Sequence, residues 1–271
     1  MADDIFQPWL RRWRLTRDGE AFVTAFHSHL LPVLHDGAPA MLKVALNQEE
    51  REGAALMAWY GGDGAARVLA HEGEALLLER ASGARSLAAM VRGGRDEAAC
   101  AILCRTVARL HAPHRRPMPT MLAPLPVWFR QLEPAAATHG GVLVQSAAAA
   151  RELLAAPREE RVLHGDIHHD NILDFGPRGW LAIDPKGLFG ERGFDYANLF
   201  CNPDLETAAA PGRLAGRAAL VARAAALEPA RLLQWVLAYA GLSAAWNIGD
   251  GADPALPLAI AELAAAELAD G

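Results

Sequence analysis

Apolar and polar positions alternate as in strands over the first quarter of the chain and then change to a helical spacing. Ala21 to Phe26, Leu30 to Leu34 and Ala40 to Ala45 read as strands, the last two joined through Asp36-Gly37, a dipeptide suited to a tight hairpin turn. Glu49 to Trp59 predicts a helix that stops at Gly61-Gly62. Two further strands, Arg67 to Ala70 and Ala75 to Glu79, flank a turn at Glu72-Gly73. From Ser86 the pattern is helical to about Ala156, broken by the proline-rich stretch from Pro113 to Pro126. Strand character returns at Val162-Leu163 and over 171–184, and everything past Phe194 is helical again. A small sheet followed by a larger helical part with one embedded hairpin predicts an α+β, bilobal plan. We place a small mixed β-sheet with one helix in an N-lobe at 1–84, and a mostly helical C-lobe at 85–271.

Composition narrows the class. The 271 residues are 52% hydrophobic and 21% charged, enough for a sizeable core and too apolar for general disorder. A net charge of −6 argues against a nucleic-acid partner, and the absence of a long apolar run argues against a membrane one. Met1-Ala2-Asp3-Asp4 is an acidic start from which no secretory leader is expected. Three cysteines (Cys100, Cys104, Cys201) are too few and too odd in number for a disulfide framework, so a reducing, cytoplasmic setting is expected. The acid surplus is local: residues 162–271 hold 14 acids and 7 bases, against 18 and 19 in residues 1–161. That favours a cationic small partner for the C-terminal part. Only two of the 26 basic residues are lysines, Lys43 and Lys186, which singles both out for inspection.

The densest chemistry is His164-Gly165-Asp166-Ile167-His168-His169-Asp170-Asn171, followed by a hairpin through Gly176-Pro177-Arg178-Gly179 to Ile183-Asp184-Pro185. If the loop pairs 175 with 180, Asn171 falls opposite Asp184, with Cβ atoms about 5 Å apart. Two oxygen-bearing side chains there, beside Asp166, suit Mg²⁺, which completes its shell with water and phosphate oxygens. The steps from Asp166 to Asn171 and on to Asp184 are those of phosphoryl-transfer enzymes with a kinase fold. The same template asks for a lysine on the third strand, met by Lys43, and a glutamate on the next helix. Glu49, Glu50 and Glu52 all lie on that helix, and Glu52, one turn before Leu56, is the expected partner.

The form His-Gly-Asp-x-His-x-x-Asn resembles the aminoglycoside phosphotransferases. The resemblance tightens over Gly179 to Leu188, Gly190-Glu191 and Leu242 to Asn247, which look like the branch of streptomycin 6-phosphotransferases and hydroxyurea-resistance kinases. It runs from about Phe26 to Asn247. It implies a protein-kinase-like fold and transfer of phosphate from ATP, with Mg²⁺, to a hydroxyl of a small cationic acceptor, most simply the 6-hydroxyl of streptomycin's streptidine ring. Hydroxyurea or another small metabolite is the alternative acceptor. By this resemblance Asp166 handles the acceptor proton, Asn171 and Asp184 hold the metal, and Lys43, steadied by Glu52, meets the phosphates. Ser28, in Phe26-His27-Ser28-His29-Leu30, stands in a phosphate-covering loop that carries no glycine. The backbone from Leu78 through Glu79 and Arg80 to Ala81 is expected to receive adenine. Glu191, Asp204 and Asp250 are candidates for guanidinium recognition, with Trp246 and Asn247 at the same end. Asp195 resembles the aspartate that hydrogen-bonds the catalytic loop from behind, a structural role.

Rival readings fit less well. Zinc would need ligands from several elements, which His168-His169 and the apolar-face pair Cys100 and Cys104 do not provide. A metallophosphoesterase needs later histidines, and none follows His169. An inactive kinase-fold scaffold is opposed by the joint presence of Lys43, Asp166, Asn171 and Asp184. Trp9 to Arg14 reads as a short amphipathic lead-in to the sheet.

Overall fold

The computed structural model of the chain describes residues 4–23 and 29–270. Ser28, and with it most of the expected phosphate-covering loop, lies outside the described residues.

The chain enters through α1 (Gln7–Arg12), then β1 (Thr16–Arg17), β2 (Phe22–Val23), β3 (His29–His35), β4 (Ala38–Val44), α2 (Gln48–Tyr60), β5 (Val68–Glu72) and β6 (Ala75–Glu79). The strands form one sheet in the order β1-β3-β4-β6-β5, with β2 also on β3. Each of its pairs is antiparallel, and the parallel pairing expected of a mixed sheet occurs instead in the C-terminal part. The β3–β4 turn is the two-residue one that Asp36-Gly37 predicts, with φ of 50° and 79°. Alternation along β4 decides what faces where. Ala40, Leu42 and Val44 join Leu31, Val33 and Leu77 in a core closed by Phe6 and Leu10 from the lead-in, with Trp9 and Trp13 packed beside it. The intervening Met41 and Lys43, paired with Leu78 and Leu76 on β6, face the opposite side. Asn47 caps α2 by accepting Glu50 N–H, and Gly61 at φ 62° ends the helix.

The rest is α3 (Leu87–Arg92), α4 (Asp96–Leu110), β7 (Ala123–Pro124), α5 (Leu125–Trp128), α6 (Leu132–His139), α7 (Val142–Ala155), β8 (Glu160–Leu163), β9 (Ile172–Asp174), β10 (Trp180–Ala182), β11 (Leu188–Glu191), α8 (Leu205–Ala208), α9 (Arg213–Ala225), α10 (Pro229–Gly249) and α11 (Ala255–Asp270). The buried helix α10 packs on α7 and α11 at the centre of the larger core. β7 and β11 pair in parallel, with β8 antiparallel on the other side of β11. Cys100, Cys104 and Cys201 are buried free thiols. Among the described residues no helix is long and apolar enough to cross a membrane.

Residues 80–86 connect the N-terminal sheet to α3 and are tied to the β9–β10 hairpin. Gly83 N–H donates to the Asp174 carbonyl at 2.8 Å, and Arg85 grips the Asp174 carboxylate at 2.6 and 3.0 Å. A Cβ on Gly83 would stand 2.1 Å from that carboxylate carbon, so only glycine permits the approach.

Candidate active site

A cleft of about 580 Å³ separates the sheet from the helical part. Met41, Leu76, Leu78, Leu173 and Ile183 give it apolar walls, while Lys43, Glu50, Asp166, Asn171 and Asp184 gather on its floor. Lys43, Asp166, Asn171 and Asp184, singled out from sequence, are therefore brought together. Glu79 and Ala81 line the opposite end with Leu78 and Arg80. The Glu79 carboxylate is engaged at Oε1 by Arg178 and by Arg67 N–H.

The hairpin register differs from the expected one. Trp180 pairs with Asp174 and Ala182 with Ile172, so Asn171 stands opposite Ile183, whose N–H donates to the Asn171 carbonyl at 2.9 Å. The loop is one residue longer than assumed because Phe175 turns with Gly176–Arg178 instead of pairing. Asp184 reaches the cleft by another route: it lies past the strand end in the left-handed region, at φ 60°.

The loop from His164 to Asn171 is held from behind and from within. Asp195, fully buried, accepts Gly165 N–H at 2.7 Å and His164 N–H at 2.9 Å, and His111 Nε2 donates to it at 2.8 Å. Burial alone would raise its pKa, but these donors and the neighbouring histidines hold it below the ordinary carboxylate range. His164 donates from Nε2 to the Ile183 carbonyl at 2.9 Å and accepts Asp166 N–H at Nδ1, at 3.2 Å. That pattern requires the neutral ring, and burial pushes its pKa down accordingly. Both oxygens of Asp166 are oriented: Asn198 donates to Oδ1 at 2.8 Å and Asn171 to Oδ2 at 3.1 Å. Asn198 carried no sequence signal, since it lies 32 residues from Asp166 in an otherwise apolar stretch.

Lys43 pairs with Asp184 Oδ1 and stands 3.8 Å from Glu50 Oε1. The expected partner, Glu52, is corrected: it accepts from Gln48 on the helix surface at 3.0 Å. Glu50 is selected because it sits in the first turn, where its other oxygen accepts Leu46 N–H at 2.8 Å while the Asn47 side chain accepts Glu50 N–H at 2.9 Å. Lys186 stands 3.4 Å from Glu49 and 3.9 Å from both Asp166 and Asp184. Burial would raise the pKa of Asp184, but the charges of Lys43 and Lys186 outweigh it and hold the group ionised.

The donor set can be tested against magnesium. Asn171 commits its amide nitrogen to Asp166, which leaves its carbonyl oxygen to act beside the Asp184 carboxylate. One amide and one carboxylate oxygen fit an ion that brings waters and phosphate oxygens with it. Among the described residues there is no cluster of three or more His, Cys, Asp or Glu able to hold a metal alone. His168 lines the cleft and His169 is buried behind it.

The five expected acceptor-side residues lie outside the cleft lining. Glu191 is buried, accepting from Arg231 at 2.5 and 2.7 Å, from Trp235 at 2.8 Å and from Arg158 N–H at 2.8 Å. Asp204 caps α8 through Thr207 N–H and pairs with Arg92, and these bonds lower its pKa to about 2. Both carboxylates are thus used internally. Asp250 is exposed at the end of α10, and Asn247 donates to the Asp253 carbonyl at 2.9 Å to shape the turn after it. Trp246 packs edge-on against Trp128 and Tyr239. Tyr239 lies close enough to Asp166 for that charge, after burial, to help raise its pKa.

Residues 12–251 match the family described as aminoglycoside/hydroxyurea antibiotic resistance kinase. A streptomycin 3''-kinase from Klebsiella pneumoniae is 55% identical over 247 residues, covering 89% of this chain and 92% of that protein. A streptomycin 6-kinase from Streptomyces griseus is 33% identical over 282 residues, covering 92% and 84%. Among solved structures, a thermostable variant of aminoglycoside phosphotransferase APH(4)-Ia, in ternary complex with AMP-PNP and hygromycin B, superposes with a TM-score of 0.69. It shares 13% identity, over 96% of this chain and 97% of that one, a likeness of fold.

Proposed function

The chain belongs to the aminoglycoside/hydroxyurea antibiotic resistance kinases, and from that premise we propose that it transfers the γ-phosphate of ATP to a hydroxyl of streptomycin. The observation that carries the reading is the meeting of Lys43, Asp166, Asn171 and Asp184 in one cleft between the lobes at 1–84 and 85–271. Asp166 orients the acceptor hydroxyl and takes its proton. Lys43, steadied by Glu50, meets the non-transferred phosphates. Leu78, Glu79 and Ala81 receive adenine along the backbone, between the apolar walls. Asn171 and Asp184 would hold Mg²⁺, which supplies charge neutralisation on the phosphates when bound. Catalysis of this kind is placement and electrostatics, since the protein forms no bond of its own to the phosphoryl group.

For the position phosphorylated, the 55% identity to a 3''-kinase outweighs the 33% identity to a 6-kinase. The 3''-hydroxyl therefore replaces the 6-hydroxyl as the preferred site. The acidic C-terminal part suits a guanidinium-bearing acceptor, and a cytoplasmic setting goes with the use of ATP. Product made from streptomycin and labelled ATP should show, by phosphorus-coupled proton NMR, a phosphoester at the 3'' carbon. A phosphoester at position 6 would return the chain to the other regiochemistry, and no product with streptomycin but product with hydroxyurea would move it to the family's other acceptor.

A further inference from the structure

The fold delivers both of the chain's lysines to one carboxylate. Lys43 pairs with Asp184 Oδ1, and Lys186 Nζ stands 3.9 Å from Asp184 Oδ2. Each is met from α2 by one of two successive glutamates, Glu50 at 3.8 Å from Lys43 and Glu49 at 3.4 Å from Lys186. Lys43 has a role in the reading above, and Lys186 has none. Yet Lys186 is the one that also reaches Asp166, at 3.9 Å from Oδ2. Its ammonium lies between the carboxylate on the nucleotide side and the carboxylate on the acceptor side.

This position is built into the backbone. Lys186 N–H donates to the His164 carbonyl at 2.7 Å, which locks it to the loop from His164 to Asn171. Gly165, at φ 87°, lies so close that a Cβ there would stand 3.1 Å from the Cβ of Lys186. On the other side Gly53 of α2 passes Pro185, where a Cβ would meet the carbonyl oxygen at 2.2 Å. The lysine is thus held between the loop that carries Asp166 and the helix that carries Glu49. Its side chain is 17% exposed, which distinguishes it from a solvated surface lysine.

We propose that Lys186 is a catalytic residue whose ammonium binds the phosphoryl group in transit, an inference that rests on the phosphotransferase reading of the same cleft. In the step, the acceptor oxygen bonds to the γ-phosphorus as the bond from that phosphorus to the β–γ bridging oxygen breaks. ADP leaves with the electron pair, and the acceptor proton passes to Asp166 and then to solvent. Charge on the moving group spreads over its three equatorial oxygens. A cation fixed between Asp184 and Asp166 meets those oxygens midway, where Lys43, committed to the nucleotide side, does not reach Asp166. Glu49 is a positioning residue that holds the ammonium until phosphate arrives.

The test compares wild type with Lys186→Met and Lys186→Arg, using Mg·ATP and streptomycin. Steady-state constants are measured together with the affinities for ADP alone and for ADP with aluminium fluoride, a mimic of the phosphoryl group in transit. Lys186→Met should lower kcat by about 10²–10³-fold, the loss expected when one preorganised donor to transition-state charge is removed. Both KM values and the ADP affinity should stay within about threefold, while the aluminium fluoride complex weakens by a factor similar to that in kcat. Lys186→Arg should recover part of the rate. If Lys186→Met melts early, Lys186→Gln carries the same comparison, with ADP affinity as the check that the cleft is formed. A neutral variant with kcat near wild type, or a loss confined to the KM for streptomycin, would overturn the proposal and leave the phosphotransferase reading standing. A wild type that moves no phosphate to streptomycin, hydroxyurea or water would overturn both.

Discussion

Asn198 donates its amide to Asp166 Oδ1 at 2.8 Å, while Asn171 holds Oδ2 at 3.1 Å. The carboxylate proposed to receive the acceptor proton is therefore fixed at both oxygens before any substrate arrives. Asn202 in turn donates to the Asn198 carbonyl groups at 3.0 and 3.1 Å, so the orientation is relayed from the turn beyond. Removing the first link should cost geometry more than binding. Asn198→Ala is expected to lower kcat by about 10–100-fold, the scale of a misplaced catalytic group, with the KM for ATP little changed. Asn198→Asp should be worse, because it sets a second negative charge against Asp166. An Asn198→Ala enzyme with full turnover would show that Asn171 alone suffices.

Two glutamates one turn-fraction apart on α2 should separate cleanly. Glu50 stands 3.8 Å from Lys43 and accepts Leu46 N–H, whereas Glu52 accepts from Gln48 on the helix surface. Glu50→Gln is expected to lower kcat/KM for ATP by about tenfold, with thermal stability little changed because the amide oxygen still accepts Leu46 N–H. Glu52→Gln should change kcat/KM by no more than about twofold. Kinetics of the two variants side by side, with thermal melting as the check on folding, decide between them.

Asp195 gives the fold a dependence on acid. Its pKa is held below the ordinary carboxylate range in the folded chain, so its ionised form contributes stability that is fully present above the unfolded value near 4. That contribution is lost as pH falls through the folded value. Asp195→Asn should therefore destabilise the protein by about 2–4 kcal/mol at pH 7, since it sets an amide donor among buried N–H groups. The gap between wild type and variant should narrow below about pH 4. Urea melts across that range check both the size and the sign.

Glu191 is the clearest case of a residue that sequence assigns to substrate and the fold uses for itself. Glu191→Gln should cost about 3 kcal/mol of stability, because Arg231 would be left without its charged partner in a mostly buried setting. The KM for streptomycin should not change in the surviving folded enzyme. A selective rise in that KM, with stability intact, would return Glu191 to the acceptor site.

What could be read from the sequence was whatever local patterning fixes. Asp36-Gly37 marked the hairpin that carries Lys43 onto β4, and alternation along that strand turned Lys43 away from the outer core. The loop from His164 to Asn171 concentrated its polar groups in eight residues, and Asp184 followed one hairpin later. Choices made by geometry beyond one element were not legible. Whether Glu49, Glu50 or Glu52 meets Lys43 depends on how α2 is capped and how Gly53 lets it close on Pro185. The hairpin register depended on whether Phe175 pairs or turns. Asn198 became visible only once the segment after Asp195 folded under the loop, and Glu191 and Asp204 once Arg231 and Arg92 were seen beside them.

Asp166 is proposed to receive the proton of an acceptor hydroxyl in a cleft that binds ATP independently of it. The most direct test is transfer of label from γ-labelled ATP to streptomycin by wild type and by Asp166→Asn, with ATP affinity measured for both. Phosphorylated streptomycin is expected from the wild type, and a fall in turnover of about 10²-fold or more in the variant, the lower end for a positioned general base, with ATP affinity nearly unchanged. Undiminished turnover by Asp166→Asn would contradict that role.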